Sequence, residues 1–213
     1  MTVAARGNWS RLAFAGWILL AINAAGTGLY SLRYVLPRIP LPILMPNFFD
    51  RRGWLIAHAT CSSIALLLGP WQFLPGLRAR FLSLHRWMGR IYCVAVLAGW
   101  IASLPIAAHA ETGSVASAGF LLLGIVWSGS TAMAWVSIRG GRVQAHREWM
   151  VRSYALTAAA ITLRIYLPLS LVAGVPFTMC YPTIAWMCWV PNLVFAEWLI
   201  RRSRVKKRAL AGF

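Results

Sequence analysis

Two stretches of this 213-residue chain carry the same side chains in the same order. His85-Arg86-Trp87-Met88-Gly89-Arg90-Ile91-Tyr92 and His146-Arg147-Glu148-Trp149-Met150-Val151-Arg152-Ser153-Tyr154 align as H-R-(x)-W-M-x-R-x-Y, with Glu148 extra in the second copy. Each follows an arginine-bearing loop and opens an apolar run. Two imidazoles at matched depth on separate helices are what bis-histidine ligation of a haem b iron requires. Arg86 and Arg147 could pair with the haem propionates. The same residues have a plainer use, in which arginine reaches to lipid headgroups and histidine bridges a helix entrance. Metal or quinone binding is a third reading. A repeat this short is also compatible with chance or with shared topology alone.

Four more polar residues fall within apolar runs: His58, Arg164, Asn192 and Glu197. Ionisable groups are costly in lipid, so these side chains are expected to face the bundle interior. Arg164 lies 18 residues after His146, about 27 Å along a helix, which carries it toward the side where His58 enters. A polar pocket for a carboxylate, a quinone carbonyl or a propionate is one expectation there. A satisfied buried histidine is the other. His109, followed by Glu111, reads as a solvated loop residue. No catalytic residue is identified.

Such side chains need apolar elements to carry them. Residues are 60% hydrophobic and 12% charged, and mean hydropathy is +0.65. Soluble domains are about 45–50% apolar and about 25% charged. A bilayer asks for roughly 20 apolar residues per spanning helix, and the chain offers that repeatedly. The expected fold is an all-α polytopic membrane helix bundle. Its six spans fall at about 12–31, 54–74, 88–108, 115–137, 150–173 and 178–200. They form one domain over 1–213 with a basic tail at 201–213. The first run is too long for a signal peptide and has a weak cleavage site. Pro37, Pro40, Pro42 and Pro46 make the first connector extended.

Charge sets the orientation. Twenty-one Lys and Arg face four acids, a net charge of +17, which would ordinarily suggest nucleic acid. Placement argues instead for the lipid bilayer as partner. Sixteen of the basic residues lie in the N-terminal segment, the second and fourth connectors and the C-terminus, from Arg6 and Arg11 to Arg208. Arg33, Arg38, Arg51 and Arg52 form the other set. By the positive-inside rule both termini are cytoplasmic, in a bacterial inner membrane. The terminal RRSRVKKR is then a stop signal and lipid anchor that needs no specific partner. Cys61, Cys93, Cys180 and Cys188 lie in apolar runs without a CxxC pair, as small buried hydrophobes do. No HExxH, P-loop, GxGxxG or nucleophile–base motif is present. The shortage of buried acids and the absence of a broken-helix inverted repeat speak against an ion-coupled transporter.

The set His58, Gly69-Pro70-Trp71-Gln72-Phe73, Arg78, LHRWMGRIY, AHREWMVRSYALTAAAITLRIYLP and WMCWVPNLVFAEW resembles the bacterial membrane family catalogued as domain of unknown function 2306, over about 55–199. That resemblance implies the same topology and adds Trp189, Pro191, Asn192 and Glu197 as candidates. It implies no activity. More loosely, the arrangement is similar to six-helix diheme cytochromes b, whose axial histidines come in pairs from the four central helices. That likeness implies haem b on His85 and His146. A second pair would start from His58 on the second helix, but the span at 115–137 has no histidine. The functional expectation is a haem b electron-transfer protein acting with quinone. The alternative is a non-catalytic subunit of a larger membrane complex, or a lipid-binding scaffold.

Overall fold

The computed structural model describes residues 11–35 and 47–211, and the described residues contain no strand. Helix α1 (Arg11–Ser31) continues as a 3-10 turn, Leu32–Val35. It is followed by α2 (Asn47–Asp50), α3 (Arg52–Gln72), α4 (Pro75–Arg80) and α5 (Leu82–Ala108). Then come α6 (Ser114–Arg139), α7 (Val143–Thr157), α8 (Ala159–Val172), α9 (Phe177–Met187) and α10 (Val190–Ala211). Six stretches are long and apolar enough to cross a membrane: Arg11–Val35, Arg52–Gln72, Leu82–Ala108, Ser114–Arg139, Val143–Val172 and Phe177–Val205. The chain is thus an all-α bundle with six candidate membrane spans. Arg6, Arg38 and the proline connector lie outside the described residues.

The bundle is packed for lipid, with small residues inside and large ones outside. Ala65, Ala116, Ala134 and Ala185 are completely buried, whereas Val94, Ile125, Leu169 and Val172 are more than half exposed. Without water to drive helices together, close backbone approach supplies the packing. α3 lies along α5, where a Cβ on Gly99 would already stand 3.2 Å from Ser62 Oγ. α6 packs on α5 and α7, α9 on α6, α10 on α7, and α1 on α3. Two connectors are closed by the same device. Arg142 N–H reaches Ser137 O at 2.9 Å and Gly141 N–H reaches Ile138 O at 3.1 Å, with Gly141 at φ +71°. Val175 N–H on Ser170 O and Gly174 N–H on Leu171 O, each 3.0 Å, repeat the pattern with Gly174 at φ +77°. Glycine tolerates that left-handed conformation where a Cβ would not.

The structure departs from the expected spans in two ways. First, the third and fifth spans begin at Leu82 and Val143, not near 88 and 150. Their opening turns hold the H-R motifs and are amphipathic, so hydropathy alone starts them late. Second, the fifth and sixth spans are interrupted, at Ala158 and at Cys188–Trp189, where the sequence was read as unbroken. Pro191 has no N–H to give the Met187 carbonyl, and it suits the first turn of the new helix α10. In the fifth span Thr157 Oγ1 donates to Ser153 O at 2.9 Å, a back-bond that bends helices. The two breaks meet. Asn192 Nδ2 donates to Cys188 O at 3.0 Å and lies 3.2 Å from Thr162 Oγ1 and 3.3 Å from Ala155 O. Thr162 Oγ1 donates to Cys188 O. Carbonyls released by both breaks thereby find donors inside the bundle, as hydrocarbon requires.

Candidate functional site: a histidine pair and a cationic cavity

At the arginine-rich end, α5 and α7 each place a histidine in the first turns. His146 Nδ1 lies 2.9 Å from Ala134 O. A carbonyl only accepts, so Nδ1 carries the proton and Nε2 keeps a lone pair in the neutral ring. His85 Nδ1 is buried with no partner. Arg78, His146 and Arg86 are all near enough to His85 to interact with it electrostatically, so the two histidines lie in one neighbourhood. Arg78, on α4, is held below the usual arginine range by partial burial and then by the Arg147 charge. Arg86 and Arg147 are exposed. Gln72 is 7% exposed, and its Nε2 also lacks a partner. One turn beyond His85, a Cβ built on Gly89 would meet Gln72 Oε1 at 3.6 Å and nothing else within 4 Å. Gln72 therefore packs on the Gly89 face of α5, one turn beyond His85, with its own Nε2 unpartnered.

The motif repeats also share a rim contact. Arg90 sits 5.0 Å from the Trp87 ring centre and Arg152 4.5 Å from that of Trp149, each pair three residues apart on its helix. Their tyrosines diverge. Tyr154 donates to Leu66 O at 3.1 Å. Tyr92 is completely buried and bonds Ser153 Oγ at 2.7 Å and Thr157 Oγ1 at 2.8 Å. Trp127 Nε1 donates to Thr157 Oγ1 at 2.8 Å, and Thr131 Oγ1 lies 2.7 Å from Ser153 Oγ. This network joins α5, α6 and α7 below the histidines.

Two forks join α7 to α10. Arg152 and Glu197 form a bidentate pair, with Nη2 3.1 Å from Oε2. Arg204 Nε donates to Glu148 Oε1 at 2.9 Å, and its Nη2 pairs with Oε2. Arg204 thus has a specific partner, contrary to the reading of the C-terminal run as a lipid anchor alone. The side chains of Lys206, Lys207 and Arg208 lie outside the description. Glu197 meets Arg152, not Arg86, Arg147 or a histidine; Arg152 lies about one and a half turns further along α7 than Arg147.

The opposite half of the bundle holds a half-open cavity of 620 Å³. His58, Arg33 and Arg164 line it, with apolar walls from α3, α5, α6, α8 and α9. His58 Nδ1 lies 2.8 Å from Gly99 O. Arg164 donates to Ala160 O at 2.9 Å and to Ser31 Oγ at 2.7 Å. Arg33 lies 3.9 Å from the Tyr30 ring centre, and its Nε is buried without a partner. His85, His146, Asn192 and Glu197 do not line this cavity. Nothing local in the sequence marks Arg33 as inward, so its place in the cavity wall is visible only in the fold. His109 is exposed with Nδ1 on Pro105 O at 3.0 Å, and Glu111 is buried against Asn47 at 2.7 Å. Among the described residues no three His, Cys, Asp or Glu side chains converge as a metal site. The four cysteines are free.

Fold and hydropathy together define a helical integral membrane protein. Residues 55–200 match the family described as "Predicted membrane protein (DUF2306)", and the chain belongs to that family. No curated protein and no solved structure matches it.

Proposed function

We propose that the protein is an electron carrier of the bacterial inner membrane, holding one haem b between His85 and His146 and exchanging electrons with quinone. The observation that supports this most is the histidine pair. One imidazole is held through Nδ1 in the tautomer that leaves Nε2 a lone pair, and the other has a buried Nδ1 with no partner. A buried polar atom without a partner costs about 1–3 kcal/mol, and a ligand there would remove that cost. Bound haem would supply one-electron chemistry. The chain's own part is to orient: the bond to Ala134 O fixes the His146 tautomer and makes its Nε2 more basic. Arg86 and Arg147, each adjacent in sequence to a ligand histidine, would be the cations for propionates. A second haem does not fit, because α6 offers His58 no histidine partner.

Absorption spectra of detergent-purified protein from haem-replete cells, oxidised and dithionite-reduced, test this reading. A Soret band is expected in the wild type. It should be lost in His85→Ala and in His146→Ala while both variants still insert. A wild type without the band overturns it. The alternative is then a non-catalytic subunit or lipid-binding scaffold, favoured by the repeated Trp–Arg rim contacts.

The same proposal puts the arginine-rich end and both termini in the cytoplasm. Reporter fusions after Ala110 and Gly141 should report opposite sides, with Gly141 cytoplasmic. The reverse pattern would invert the topology.

A further inference from the structure

The 620 Å³ cavity raises a question of charge. The chain has four acidic side chains. Glu148 is taken by Arg204, Glu197 by Arg152 and Glu111 by Asn47, and Asp50 is exposed. None pairs with Arg33 or Arg164. Arg164 uses two of its five N–H groups, both on neutral oxygens. Arg33 rests on tyrosine faces, with Nε buried and unpartnered. The two charges lie close enough to act on one another. Two cations sharing an apolar membrane cavity without an anion are unfavourable, since buried charges are stable only when paired.

We propose that the cavity binds an amphipathic acid, its carboxylate or phosphate head between Arg33 and Arg164 and its apolar chain against Leu66, Leu123, Leu156 and Leu163. The volume lies within the range of about 300–1,000 Å³ usual for small-molecule sites. The wall composition matches such a ligand: a few convergent polar groups at one end and leucines elsewhere. Tyrosine hydroxyls from Tyr30 and Tyr34, which also line the cavity, suit an oxyanion, whereas the Ser31 hydroxyl is spent on Thr27 O at 2.7 Å. A neutral quinone head would leave both guanidinium charges uncompensated. The inference does not rest on the haem reading, which uses other residues at the other end of the bundle.

The test uses the full-length protein in non-ionic detergent with a fluorescent long-chain fatty acid, its methyl ester, lysophosphatidic acid and a long-tailed quinone. The fatty acid should bind saturably, and the methyl ester at least about tenfold more weakly, the scale of one charge-assisted contact. Arg164→Gln should cost a similar factor, and Arg164→Lys should retain most of the binding. Leu123→Trp, which fills the cavity without touching charge, should weaken binding too. Displacement by lysophosphatidic acid at lower concentration than by unlabelled fatty acid would identify a phosphate head, and the reverse order a carboxylate. Equal binding of acid and ester overturns the proposal. So does quinone displacing the probe where neither acid can, or binding indifferent to Arg164→Gln. Should Arg164→Gln fail to insert, the comparison of acid with ester on the unaltered protein decides.

Discussion

Gly69→Ala is expected to lower the melting temperature in detergent more than any other single methyl addition to the buried helix faces. A Cβ at Gly69 would stand 1.9, 2.2 and 2.8 Å from three atoms of the Tyr154 ring. The ring has little room to retreat. It is 4% exposed, its hydroxyl holds Leu66 O at 3.1 Å, and it packs on Phe73 with ring centres 5.5 Å apart. Ordinary overpacking costs about 1–3 kcal/mol. This contact is far inside van der Waals distance, so at least about 3 kcal/mol is expected. Tyr154→Phe alone gives up one hydrogen bond, about 1 kcal/mol, and should not rescue Gly69→Ala, because the ring remains. Tyr154→Leu should recover part of the loss, because the ring is gone. Thermal unfolding followed by tryptophan fluorescence reads the wild type and all four variants. A Gly69→Ala variant that melts like the wild type would mean that α3 and α7 are not held at this distance.

That contact also marks how far the sequence is legible. Gly69-Pro70 stands out in the primary structure, but its reason is a tyrosine 85 positions later, and no local pattern connects them. The spans are legible because each apolar run must cover a bilayer by itself. Their starts at Leu82 and Val143 are less so, since His85, Arg86, His146 and Arg147 lower hydropathy in turns that are still helical. The break before α10 could have been read from Pro191. The break at Ala158 could not, because it follows a threonine back-bond in a run of helix formers. His58 and Arg164 were assigned to the same side by counting helical rise, and both line the cavity. The cavity itself depends on helices separated by most of the chain. Arg33 joins it only because the 3-10 turn after α1 carries it inward.

Thr157→Val is the second large effect, and it separates two accounts of the buried network. The substitution keeps shape and removes one oxygen. That oxygen accepts from Trp127 Nε1 at 2.8 Å, lies 2.8 Å from the Tyr92 hydroxyl and donates to Ser153 O at 2.9 Å. Interhelical hydrogen bonds in membrane proteins average only about 0.6 kcal/mol, so counting bonds predicts a modest loss. Trp127, however, is 6% exposed and would keep an indole N–H with no acceptor, and a buried orphan donor costs about 1–3 kcal/mol. Tyr92 fares better, because its hydroxyl still has Ser153 Oγ at 2.7 Å. The expected loss for Thr157→Val is therefore at least about 2 kcal/mol, most of it from Trp127. Tyr92→Phe should cost about 1 kcal/mol, since Thr157 and Ser153 keep other partners. The double variant should lose less than the two single losses combined, because the Tyr92–Thr157 bond is counted in both single losses. Trp127→Phe in the Thr157→Val background completes the test. With the orphan N–H gone, stability should rise above that of Thr157→Val alone, despite the smaller ring. A further fall would show that the packing of the larger ring outweighs the stranded donor.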